Sequence, residues 1–249
     1  MENLTAERLN FGIYMKTEIL HGYVIKITPY SDYDSIVVLF TEEMGGISVF
    51  VKGLRRSQKR FQGSIDRFLY NEFEVLIKEN GKLSILKSSK IIDSFYNIKN
   101  EPEKLVFAEH LIELYNNILT QFTSENFKYF NSMLKYINNS KKVNYPSLLV
   151  LRFNILKIAG IMPRVNDSHD MFFSGNQFIF LNSEPETNML KLTQNQINFL
   201  IGFQQENQKI LDFEFNEDEK RSFGKLFSLL YYSISNKKLL TIPLLMQFF

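Results

Sequence analysis

The hydrophobic period of this chain changes once, near residue 93, and that change limits what it can fold into more than any other feature. Before it, short runs rich in Val, Ile, Phe and Tyr alternate partially in twos, the signature of strands with one face buried. Strands are expected over residues 19–28, 35–41, 47–52, 68–78 and 82–92. The breaks between them carry turn chemistry: Pro29 with Asp32 and Asp34, then Gly45-Gly46, then Asn80-Gly81 as a type I′ hairpin signal. Five strands over ~75 residues make a small barrel, which these turns would join as an antiparallel meander.

After residue 93 apolar residues recur at three and four. Leu105, Ala108, Leu111, Ile112, Tyr115, Ile118, Leu119 and Phe122 share one face of a helix over 103–122, opened by Pro102 behind an Asn100 cap. A second helix is expected over 125–138. Residues 147–159 are apolar nearly all round, a buried central helix closed by Gly160. Thr193 with Gln196 forms a capping-box pattern opening a helix toward Gln205, and residues 220–235 give a last amphipathic helix. Between them, MFFSGNQFIFL (171–181) reads as a hairpin insert turned at Gly175-Asn176, outside the core. The acidic stretch 212–219 reads as a solvated loop. The fold class is therefore α+β: an N-terminal OB-type five-stranded β-barrel (15–93), then a helical domain (94–249) with a small hairpin insert. Residues 1–14 are a possible extension.

Composition narrows the chemistry. Cysteine is absent, which excludes disulfides, thiol nucleophiles and cysteine-zinc sites and fits a reducing cytoplasm. No apolar run reaches the length that spans a bilayer, and no signal peptide is evident, so a soluble cytoplasmic protein without membrane contact is expected. His21, His110 and His169 are scattered, with no catalytic or metal-like spacing. His110, on a periodic helix beside Glu109 and Glu113, reads as a boundary residue. No phosphate-binding glycine motif is present, and no enzymatic activity, cofactor or metal is expected.

Net charge is only +2, so affinity for nucleic acid must come from local clustering. Such a cluster exists. Lys52, Arg55, Arg56, Lys59 and Arg60 fall within nine residues, and no acid occurs from Met44 through Ile65. Cations at a strand end and in its following loop meet phosphates without fixed register, and an OB barrel commonly pairs such a groove with aromatic stacking faces. Tyr30, Tyr33, Phe50, Phe61 and Phe68 lie nearby, though alternating aromatics in strands usually bury. Lys220, Arg221 and Lys225 form a second basic group suited to a further DNA contact. Arg152 stands in an otherwise apolar helix, where a guanidinium requires water or an anion, either an intramolecular Glu such as Glu109 or Glu113 or a ligand's carboxylate.

These residues resemble a known family. VKGLRRSQKRFQGSIDRF (51–68) is similar to the RecO pattern of a strand ending in Lys-Gly, an Arg-rich loop, and a return strand after Gly and Phe. The lead-in IVVLFTEEMGGISVFVKG agrees. LRFNILKIAGIMP (151–163) resembles the family's central helix, and SLLYYSISNKKLLTIPLL (228–245) its terminal helix and basic cap. The resemblance implies an OB domain that binds single- and double-stranded DNA through Lys52, Arg55, Arg56, Lys59 and Arg60. It also implies annealing of complementary strands, cooperation with RecR, and loading of RecA onto strands coated by single-stranded DNA-binding protein. The acidic, Phe-ended tail of that last protein is expected at Arg152. Many relatives carry a four-cysteine zinc module between the helices; here only His169 and Asp170 stand in that region. The rival readings are a general OB-fold scaffold for single-stranded DNA or RNA without mediator activity, and a metal-dependent hydrolase using Asp32 and Asp34.

Overall fold

The computed structural model describes residues 15–56, 61, 63–78, 83–119, 121–165, 171–174, 179–181 and 190–248. The possible extension 1–14, the Asn80-Gly81 and Gly175-Asn176 turns, Lys59, Arg60, His169 and Asp170 lie outside the described residues.

Strands β1 (Met15–Pro29), β2 (Ser35–Thr41), β3 (Gly45–Val51), β4 (Tyr70–Lys78) and β5 (Ser84–Asp93) close a barrel in the order β1-β2-β3-β5-β4. This is not a simple meander. β3 runs parallel to β5, with Val49 opposite Ser84 and Phe50 opposite Ile85. Closure depends on β1, which pairs with β4 from Met15 to Gly22 and with β2 from Gly22 to Pro29. Gly22 is where the strand changes partner, and a bulge between Val24 and Lys26 follows it. A Cβ there would lie 2.0 Å from the Phe40 carbonyl oxygen, so the two backbones approach closely only because the residue is glycine.

Inward residues Leu20, Val24, Val37, Leu39, Val49, Val51, Phe73, Val75 and Leu86 fill the barrel, joined by Phe61 and Ile65 from the β3–β4 connection. That connection therefore has two tasks. Phe61 and Ile65 close the core, and its described cations Lys52, Arg55, Arg56 and Arg67 stay outside.

Backbone contacts divide the chain into two compact units. One runs through Ser94 and takes in Thr123–Phe127; the other holds Phe95–Phe122 and Lys128–Phe249. Within the first, Phe127 packs edge-on against Phe40 at 5.2 Å and lies 5.9 Å from Tyr23.

Helical elements are α1 (Tyr96–Asn100), α2 (Pro102–Ile118), α3 (Ser124–Asn139), α4 (Tyr145–Ile158), α5 (Gln194–Gln204), α6 (Glu217–Tyr232) and α7 (Ile242–Leu245). Asn100 is not the cap of α2: it closes α1, donating to the Tyr96 carbonyl, and Glu101 occupies the cap position. α4 ends as its sequence foretells. Gly160 takes φ +76, and the Ile161 and Gly160 amides donate to the Leu156 and Lys157 carbonyls in a Schellman arrangement. The Thr193–Gln196 capping box opens α5 as expected.

Two further expectations are corrected. The acidic stretch is not a solvated loop throughout, because Asn216 caps α6 and Glu219 completes the box. Glu219 is buried and also accepts from the Thr193 hydroxyl (2.6 Å) and Asn195 (3.2 Å), so its charge fastens the starts of α5 and α6 to each other. The hairpin insert, β6 (Phe172–Ser174) and β7 (Ile179–Leu181), gains a third strand, β8 (Leu190–Lys191). It contributes to the core, since Met171 and Phe173 are fully buried.

Candidate nucleic-acid interface

β3 ends at Val51 on the inside of the barrel, and the next residue starts a loop that turns at Gly53, φ +70. Lys52, Arg55 and Arg56 are exposed there. The loop is held against its neighbour, residues 30–34. The Asp34 carboxylate accepts from the Gly53 amide at 2.8 Å, and the Arg55 amide donates to the Tyr33 carbonyl at 3.0 Å. The Arg55 guanidinium donates to the Ser31 carbonyl, and that of Arg56 lies 5.3 Å from the Tyr33 ring centre. Asp34 is thus occupied as a loop clamp. Among the described residues no group of three His, Asp or Glu side chains is arranged to hold a metal.

The aromatics near this loop divide by burial. Phe61 and Phe68 belong to the interior, whereas Tyr30 and Tyr33 are exposed. A pocket of about 370 Å³ opens beside the loop, lined by Ile27, Pro29, Leu54, Arg55 and Phe61 among others.

Arg152 lies elsewhere, in α4 of the helical unit, and is 6% exposed. Its guanidinium carbon sits 4.7 Å over the Phe227 ring, and its Nε donates to His110 Nε2 at 3.1 Å. Arginine can only donate, so His110 Nε2 accepts and the imidazole is neutral, with its proton on Nδ1. Nδ1 then donates to the Thr241 hydroxyl at 2.6 Å, which in turn donates to the Glu113 carboxylate. Glu113 also accepts from the Leu240 and Thr241 amides. His110 is fully buried, so it is no boundary residue.

Charges in this chain are set by burial and by partners. Desolvation pulls the His110 pKa down to about 4 and that of Arg152 down to about 10, so at neutral pH the first is uncharged and the second charged. Burial opposes ionisation of Glu113, but the His110 ring 3.9 Å away and the hydrogen bonds from Thr241 and Leu240 win and hold it at about 2.

Arg152 faces a cleft of about 120 Å³ that it shares with Tyr145, Leu148, Leu245 and Met246. Lys220, Arg221 and Glu217 line the same cleft. The volume is of the order of a cavity that holds one benzene ring. Lys220 pairs with Glu217 at 2.8 Å and lies 5.8 Å over Tyr145, while Arg221 is 3.7 Å from Asp218 and largely exposed. The sequence's second basic group is therefore split: Lys220 and Arg221 line the cleft with Arg152, and Lys225 is exposed outside its lining. Sequence reasoning missed His110, Thr241 and Glu113 as a unit. Only the buried-arginine problem pointed toward them.

Residues 15–95 match the family model described as recombination protein O N terminal. Over 229 residues the chain is 26% identical to the DNA repair protein RecO of Acetivibrio thermocellus, covering 86% of this chain and 88% of that one. It is 30% identical to the protein of the same name from Clostridium perfringens over 56% of each chain. The corresponding Mycoplasma capricolum protein is 28% identical over 57% of each chain. The match thus extends from the barrel into the helical unit. No helix among the described residues is long and apolar enough to cross a membrane.

Proposed function

The chain belongs to the RecO family of DNA repair proteins, and from that membership we propose that it is a recombination mediator acting by binding alone. Lys52, Arg55 and Arg56, with Lys59 and Arg60 of the same loop, neutralise phosphates of single- and double-stranded DNA. Holding two complementary strands at one neutralised surface lowers their repulsion and promotes annealing. The protein works with RecR to load RecA onto strands coated by single-stranded DNA-binding protein. It catalyses no covalent step.

Capture of the acidic tail of single-stranded DNA-binding protein falls to the Arg152 cleft. The observation that carries this assignment is the composition of the cleft: three cations against one carboxylate around apolar walls the size of one aromatic ring. Arg152 meets a terminal carboxylate, the walls take a Phe ring, and Lys220 and Arg221 attract acidic residues upstream.

Annealing of labelled complementary oligonucleotides tests the first half. Wild type accelerates it with a steep decline in salt, and Arg55→Ala/Arg56→Ala loses most of the acceleration while staying folded. Fluorescence anisotropy with an acidic, Phe-ended peptide tests the second. Arg221→Glu, an exposed change that spares the buried chain, weakens binding about tenfold or more, the scale of a charge reversal beside a bound anion. Annealing absent from folded wild type points instead to a scaffold, and unchanged peptide affinity in Arg221→Glu removes the cleft from consideration.

A further inference from the structure

The rim of the barrel carries two large rings that the fold leaves largely outside. Tyr30 is 66% exposed and Tyr33 53% exposed, whereas Phe61 and Phe68 in the neighbouring sequence are each 3% exposed. Leaving two aromatic rings in water forgoes the burial that normally recruits them to a core.

Both rings stand on a loop that is held in place. The Ser31 hydroxyl accepts from the Asp34 amide at 3.1 Å, and the Tyr30 and Ser31 amides donate to the Asp34 carbonyl. Bonds from Gly53 to the Asp34 carboxylate and from Arg55 to the Tyr33 and Ser31 carbonyls join this loop to the basic one. Tyr30 is further set edge-on to Phe50, with ring centres 5.7 Å apart. Rings and cations therefore share one braced surface.

We propose that Tyr30 and Tyr33 are a stacking platform for unpaired bases, making this rim a single-strand site in which rings supplement phosphate neutralisation. The inference rests on the DNA-binding reading above. Phosphates are common to single strands and duplexes, so Lys52, Arg55 and Arg56 alone discriminate weakly between them. A duplex hides its base faces against one another, whereas a single strand offers them to an exposed ring. Arg56, lying against Tyr33, can follow the phosphate while the base takes the ring. Asp32, exposed in the same loop, opposes the strand in either form and contributes no selectivity.

The test is equilibrium anisotropy with a labelled oligothymidylate and a labelled blunt duplex, at several salt concentrations. Four proteins are compared: wild type, Tyr30→Ala/Tyr33→Ala, Tyr30→Phe/Tyr33→Phe, and Arg55→Ala/Arg56→Ala. The alanine pair should lose about tenfold or more for the single strand, but change duplex affinity by less than about twofold and keep the salt slope. The phenylalanine pair should bind like wild type, because stacking needs the ring and not the hydroxyl. The arginine pair should weaken on both ligands with a shallower salt slope. Wild-type affinity for single strands in the alanine pair overturns the stacking platform, as does an equal loss on both ligands. Wild type that binds neither ligand overturns the DNA-binding reading itself, a result distinct from normal binding by an indifferent alanine pair.

Discussion

At the residue scale the most consequential side chain is His110, because its tautomer fixes an arginine. With Nε2 accepting from Arg152 and Nδ1 donating to Thr241, the ring cannot be protonated without losing one of these bonds. His110→Leu leaves the Arg152 Nε–H buried without an acceptor and should cost about 3 kcal/mol in urea unfolding, from an unmet charged donor. The pH dependence follows from the same shift. Burial lowers the folded pKa from 6.5 to about 4, so between these values the unfolded chain binds the extra proton and stability falls as pH falls. Glu113, lowered from 4.5 to about 2, extends the loss further into acid. His21 has the opposite sign. Its hydrogen bond with Glu43 outweighs partial desolvation and raises its pKa, so its contribution is present below 6.5 and lost as pH rises through the folded value. Comparing wild type with His110→Gln isolates the buried residue: the variant's stability should change less between pH 6.5 and 4, and an equal slope would remove His110 as the titrating group.

At the element scale the barrel turns on β1. Gly22 lets one strand serve two partners, and a methyl group there would meet backbone atoms, which cannot rotate away as a side chain can. Gly22→Ala should therefore destabilise the barrel by about 2–3 kcal/mol, the upper part of the range for overpacked sites, read from the shift in thermal or urea midpoint. A neutral result would mean that the strand bends elsewhere. This pivot also marks how far the elements were legible in the sequence. β2 was readable at both ends, because Asp34 and the glycines at 45 and 46 bound an alternating run. The parallel β3–β5 pairing was not, since local turn signals describe only strands that follow one another. The start of α6 was misjudged for a related reason. Its acidic residues look like loop composition until Asn216 caps them and Glu219 is placed against Thr193, a partner 26 residues away. The candidate sites divide in the same way. Clustering in sequence revealed Lys52, Arg55 and Arg56, but the partner that orients Arg152 sits 42 residues away, and Thr241 contacts His110 across 131.

At the scale of the whole molecule, a net charge of +2 contains two very different surfaces, and salt dependence can count the cations that DNA uses. If Lys52, Arg55 and Arg56 carry duplex binding, log K should fall against log salt with a slope of about −3, steepening toward about −4.5 if Lys59 and Arg60 of the same loop also engage. Those values leave no share for the helical unit. Lys220 and Arg221 line the cleft with Arg152 and Glu217, and on the reading proposed above they serve an acidic peptide and not DNA. Arg221→Ala/Lys225→Ala should accordingly leave the duplex slope unchanged, while Arg55→Ala/Arg56→Ala reduces it by about 2. A wild-type slope beyond about −6, reduced by the Arg221 and Lys225 changes, would instead make the second basic group a DNA contact and require the strand to engage both units.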